Sequence, residues 1–164
     1  MLPTNVAVTV DADAKIRFQT GADHVVKSLA GAGEVTVEGG ATLKVGTLDR
    51  FAGSLKGTGG LIVDGISTTL AAAGSATPIF AMDAGAKLVV PATGAVSIAN
   101  ATEDQIYGKK WLVAKGGTYA LPENFSGWTV VQPAGAYANA VQFVEKDGDL
   151  YLRLRSFGLV LIFK

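Results

Sequence analysis

Four carboxylates recur in one local setting along this chain. The stretches DADAKIRF at 11–18, EGGATLKV at 38–45 and DAGAKLVV at 83–90 share [D/E]-x-x-A-[K/T]-[I/L]-x-[F/V], and DGISTTL at 64–70 is a degenerate copy. Asp11, Glu38, Asp64 and Asp83 therefore occupy equivalent positions. Carboxylates lined along one edge are the beginning of a polysaccharide-cleaving site. Such a site also needs Lys or Arg on the same face and long loops to build a cleft. The shared position has a simpler role, because Asp and Gly favour turns. The DADA run at 11–14 and Asp147-Gly148-Asp149 could offer paired carboxylates to calcium, but neither has the full ligand spacing of a calcium loop. Asp147-Gly148 is read as a hairpin turn. His24, the single histidine, lies in TGADHVVKSL, read as a loop entering a rung, with no nucleophile implied beside it, and a solvated or capping role is expected. The glycine runs at 31–33 and 57–59 open no helix, so they are not phosphate loops. The chain has no cysteine, which removes thiolate metal sites and disulfides. The expectation is a non-enzyme with no catalytic residue, metal or cofactor.

A second class of chemistry-bearing residue is aromatic. Tyr107, Trp111, Tyr119, Trp128 and Tyr137 could stack against sugar rings, and Trp111, Trp128 and Tyr137 are the candidates retained for a glycan. Ten of the 13 aromatic residues lie between Tyr107 and Phe163. Burial in a capping segment accounts for such a cluster equally directly. A third feature is the apolar run Leu159, Val160, Leu161, Ile162 and Phe163. It is read either as a buried last strand or as an assembly strand that pairs with a neighbouring subunit.

The elements that must position these residues are short strands. Apolar residues alternate at Val6, Val8, Val10; Val35, Val37; Leu43, Val45; Leu61, Val63; Leu88, Val90; and Val96, Ile98, with glycine between the runs. No sustained helical period occurs between residues 5 and 100. The ten-residue phrase SLAGAGEVTV at 28–37 returns as SLKGTGGLIV at 54–63, 26 residues on. Each copy runs into an acidic turn, giving a unit of strand, turn, strand and connection. Echo at a fixed spacing favours a parallel β-solenoid, in which equivalent positions stack coil on coil. That predicts Leu29 on Leu55, Val35 on Leu61 and Val37 on Val63. The alternative is a β-sandwich of antiparallel hairpins. Residues 1–100 are assigned to β-helix rungs. Residues 101–164 are assigned to C-terminal rungs and an aromatic-rich capping hairpin within the same structural domain. In that hairpin Val141 and Phe143 face Leu150, Leu152 and Leu154.

Composition bounds the partners. Hydrophobic residues form 49% of the 164 and charged ones 17%, while Lys plus Arg and Asp plus Glu balance at 14 each. A neutral chain offers no field for a phosphate backbone, so nucleic acid is not expected. No apolar run reaches the ~18 residues of a membrane helix. The N-terminal residues lack a signal-peptide pattern, so the chain either is not exported by that route or is a mature piece of a longer export product.

The stretch FAGSLKGTGGLIVDG at 51–65 resembles the F-x-G-x-[I/L]-x-G-x-G-x-L-x-x-x-G motif of the passenger-associated strand repeat, found in autotransporter passenger domains and related large bacterial surface proteins. VKSLAGAGEVTVEGGATLKVG is similar to the degenerate rungs beside such repeats. WLVAKGGTYALPENFSGWTVV followed by VQFVEKDGDLYLRLR resembles the segment that closes these β-helices. The resemblance implies a single-stranded right-handed parallel β-helix, outside the cell or on its surface, acting as scaffold or adhesin. It implies no catalytic residue. The implied partners are a second copy of the chain, or a host glycan or protein. A passenger would continue into an outer-membrane barrel. Here the chain ends SFGLVLIFK, with Phe163 penultimate.

Overall fold

A computed structural model describes residues 5–19, 21–72, 78–136 and 140–156. Strands make up 57% of the structure and helix almost none of it, so the class is all-β. The strands are β1 (Ala7–Val10), β2 (Lys15–Phe18), β3 (Asp23–Gly31), β4 (Glu34–Val37), β5 (Thr42–Asp49), β6 (Ser54–Lys56), β7 (Gly60–Val63) and β8 (Gly65–Thr69). They continue with β9 (Phe80–Met82), β10 (Lys87–Val89), β11 (Thr93–Ala99), β12 (Lys110–Lys115), β13 (Thr118–Ala120), β14 (Gly127–Gln132), β15 (Val141–Lys146) and β16 (Asp149–Leu154). A single helical turn, α1 (Glu103–Ile106), precedes β12.

Two sheets share one core. The second sheet runs β15-β16-β12-β9-β6-β4-β2, and the remaining strands form the first. Before the last two strands the chain passes from one sheet to the other and back, so paired neighbours there are separated by a crossover. Every ladder is parallel except the two made by β16. The first sheet curls because β5 serves two arms: Thr42–Val45 pairs with β7, and Leu48–Asp49 pairs with β8. Two sheets over one core is the layering of a sandwich. The antiparallel pairing that the sandwich alternative required is confined to β16.

Alternation within the strands builds the core in columns. On the curled sheet Val8, Leu29, Leu48, Ile66, Val96 and Val130 follow one another in register. His24, Leu43, Leu61, Leu88 and Tyr119 form the column of the other arm. On the second sheet Ile16, Val35, Leu55 and Met82 align. The interior members of these columns are buried. A buried aliphatic side chain contributes roughly 1.5–3 kcal/mol, so each column adds several such increments.

The predicted stacking partners are corrected by these registers. Leu29 meets Val8 and Leu48, not Leu55. Leu61 meets Leu43 and Leu88, not Val35, and Val63 meets Val45, not Val37. In the first half, one winding takes 18 to 21 residues, as in Gly60 beside Thr42 and Ser28 beside Ala7. The 26-residue echo is thus one winding plus one corner. The phrase lies over the β3–β4 corner in its first copy and over the β6–β7 corner in its second. It repeats a bend, not a rung.

What the phrase encodes is visible at its glycines. Gly31 has φ +95° and Gly57 φ +85°, and a Cβ on either would run into the carbonyl oxygen of Val10 or Val37 respectively. Gly33 and Gly59 press equally closely on Asp11 and Ala14 and on Glu38 and Ala41. The N–H groups of Gly33 and Gly59 each donate at 2.9 Å to those same Val10 and Val37 carbonyls. The two recurrent phrases are therefore the two halves of one joint. The glycine corner of each winding seats on the acidic turn of the winding before. Gly116 and Gly117 seat on Met82 and Ala86 in the same way.

Past α1, strands β12, β13 and β14 add to β9, β10 and β11. Strands β15 and β16 then form a hairpin whose two-residue turn, Asp147 (φ 56°) and Gly148 (φ 79°), has the paired left-handed conformation favoured there. Val141 faces Leu154 and Phe143 faces Leu152 across it, as the alternation predicts.

Candidate functional site

The turn carboxylates do not line one edge, which corrects the first premise of a polysaccharide-cleaving site. Asp11 follows β1 of the first sheet. Glu38 and Asp83 follow β4 and β9 of the second, and Asp64 separates β7 from β8. Three of the four serve their turns through the main chain: Ala14, Ala41 and Ala86 donate their N–H groups to the carbonyl oxygens of Asp11, Glu38 and Asp83 at 2.8–2.9 Å. Two of the four side chains face outward into ion pairs, with Arg17 3.4 Å from Glu38 and Lys44 3.1 Å from Asp64. Among the described residues no three His, Asp or Glu side chains come together as a metal site would require.

Outward charges on the early windings form ladders. Glu34 on β4 lies 3.5 Å from Lys15 on β2 and 2.9 Å from Lys56 on β6. The hydrogen bond from Lys56, with the positive charge of Lys15 behind it, holds the Glu34 carboxyl below its ordinary range. The hydrogen bond to Glu34 raises Lys56 in turn, and Asp83 adds to that. This arrangement orders a solvated face and leaves no proton poised for transfer.

The aromatic candidates are core residues. Trp111 and Trp128 are fully buried, and their indole N–H groups donate to Thr69 O at 3.1 Å and Pro91 O at 2.7 Å. Trp128 meets Phe143 edge-on at 4.8 Å, and Phe125 lies 5.3 Å from Phe143. Neither indole presents a face to a sugar, which corrects their reading as stacking platforms. Tyr119 ends its column and reaches out of it. Its hydroxyl donates to Gly116 O at 2.6 Å and lies 3.3 Å from Gly148 O, tying the last corner to the hairpin turn. Burial, then the negative charges of Asp149 and Glu145, push its phenol up to about 12, against the pull of the Leu150 N–H. Tyr137 and the 159–163 run lie outside the described residues.

His24 is not in a loop. It stands within β3, half-buried in register with Leu43, its ring 5.1 Å from that of Phe18. Its Nε2 is buried without a hydrogen-bond partner among the described residues. It fills a core column.

Comparison with protein-family profiles, with curated proteins and with solved structures finds no match. No helix among the described residues is long and apolar enough to cross a membrane.

Proposed function

We propose that the chain is a non-enzymatic structural segment: a right-handed parallel β-helix closed by an aromatic-rich hairpin. It stands outside the cell or on a bacterial surface, as the segments of autotransporter passengers do. The coil reading is supported by a chain that alternates between the two sheets while every ladder before the hairpin is parallel. Parallel crossovers are right-handed in nearly all proteins. The role rests chiefly on one observation. A glycine corner seats on an earlier turn at three places, Gly31 and Gly33, Gly57 and Gly59, and Gly116 and Gly117, so these tight corners serve the stacking of windings. Such a chain spaces or displays what it carries.

Light scattering across a concentration series, on the full chain and on a version ending at Ser156, tests this. A full-length monomer mass that does not change with concentration is the expected result. Large assemblies that dissolve into folded monomers on shortening would replace the scaffold with a fibre subunit built through 159–163.

A further inference from the structure

We propose that the outward face of the sheet formed by β12, β16 and β15 binds an acidic polysaccharide, a sugar chain carrying carboxylate or sulfate groups. A shallow groove of about 330 Å³ lies there, and its described lining includes Lys110, Lys146, Arg153, Tyr151 and Val144 but no carboxylate. The register explains how these residues meet. Arg153 of β16 stands between Lys110 of β12 and Gln142 of β15. Two residues along the strand, Tyr151 stands between Leu112 and Val144. Two further along, Lys146 lies beside Asp149. Rows two residues apart in antiparallel strands are about 6.8 Å apart, so Lys110 and Arg153 set a cationic end to an aromatic and aliphatic patch about 14 Å long, whose far row holds Lys146 with Asp149 beside it.

The charges here differ from those elsewhere. All five ion pairs among the described residues lie between Lys15 and Asp64. Among the described residues Lys110 and Arg153 pair with no carboxylate in this way, and Lys146 stands opposite Asp149 without an ion pair. Lys110 instead holds its ammonium 5.2 Å from the centre of the Tyr151 ring, a cation–π contact that fixes it over the patch. Val144 is 40% exposed, one of two large apolar side chains left open on the surface among the described residues. A cation row, a ring and apolar surface, then a further cation suit a stiff chain that alternates anionic groups with the C–H faces of its rings. An acidic peptide adds to a strand edge through its main chain or docks on a cluster of arginines, and the described lining here has Arg153 alone. This site lies on the face of a sheet and offers side chains only. A nucleic acid needs a wider basic field than a neutral chain supplies.

The test is titration calorimetry at low ionic strength with a sulfated hexasaccharide and a uronate hexasaccharide, with polyglutamate as the acidic peptide. The double variant K110Q/R153Q should weaken saccharide binding by about tenfold or more, because charged hydrogen bonds are lost. Y151L should weaken it while leaving the salt dependence unchanged. K27Q/K87Q removes two exposed cations from other faces and should change affinity by less than about twofold. Far-UV dichroism confirms the fold of each variant. Failure of both saccharides to bind overturns the proposal, as does equal loss in K27Q/K87Q. Preferential binding of polyglutamate that is lost in K110Q/R153Q also overturns it and assigns the groove to an acidic protein.

Discussion

Tyr119 and the two tryptophans are the residues whose behaviour in solution is most directly set by their surroundings. The raised Tyr119 phenol means that the folded state resists its ionisation. Stability is therefore unaffected below pH 10, where the unfolded phenol is also protonated, and falls as pH rises from about 10 to about 12. An ultraviolet titration should show one tyrosine ionising near 12, and Tyr119→Phe should flatten the alkaline fall in stability. That variant also loses the hydrogen bond to Gly116 O, which costs about 0.5–1.5 kcal/mol. Trp111 and Trp128 should emit at short wavelength and resist quenching by iodide or by any soluble glycan; an accessible population would contradict their burial. The sequence showed that these aromatics cluster but not that each indole has a carbonyl to bind. Thr69 and Pro91 lie 42 and 37 residues upstream of their partners, and no local pattern records such a pairing. His24 was misplaced for a related reason: in the sequence it follows Gly21, Ala22 and Asp23, and only the register with Leu43 puts it in a column.

At the scale of the element, the corner is the unit on which stability turns. Gly57→Ala should cost roughly 2–4 kcal/mol, from a left-handed φ and a collision with the Val37 carbonyl, read as a fall in the denaturation midpoint. Gly60, whose added Cβ would meet nothing, should tolerate Ala with a change of under about 1 kcal/mol. The absence of cysteine makes register directly testable. Ser28→Cys with Thr47→Cys should cross-link on oxidation, because the two are paired neighbours. Ser28→Cys with Ser54→Cys should not, because β3 and β6 belong to different sheets. The strands and their inward residues were legible from alternation, and so was the β15–β16 hairpin with its turn. The winding length was not. Both copies of SLxGxG look like the same place in successive windings, yet the chemistry they share, a glycine that must clear a carbonyl, is required at more than one corner.

At the scale of the whole molecule, the pairing pattern sets how damage spreads. Each winding contacts chiefly its neighbours, so Leu55→Ala, which removes a buried member between Val35 and Met82, should cost about 2–5 kcal/mol. Hydrogen exchange should rise first in β4, β6 and β9 and least in the hairpin; a uniform rise would indicate a single cooperative block. The lysine, arginine and tyrosine groove was invisible in the sequence, because its members come from three strands that meet only after the last winding. The same three strands carry a further meaning. A parallel ladder passes its own direction to the next strand and so contains no instruction to cease. β16 runs against β12, and β15 runs against β16. Two reversals restore the original direction, so β15 runs parallel to β12, and the one strand set against the rest is β16. The hairpin thus sets one reversed strand between the parallel rungs and the edge strand β15, the single break in orientation among the ladders of the described residues.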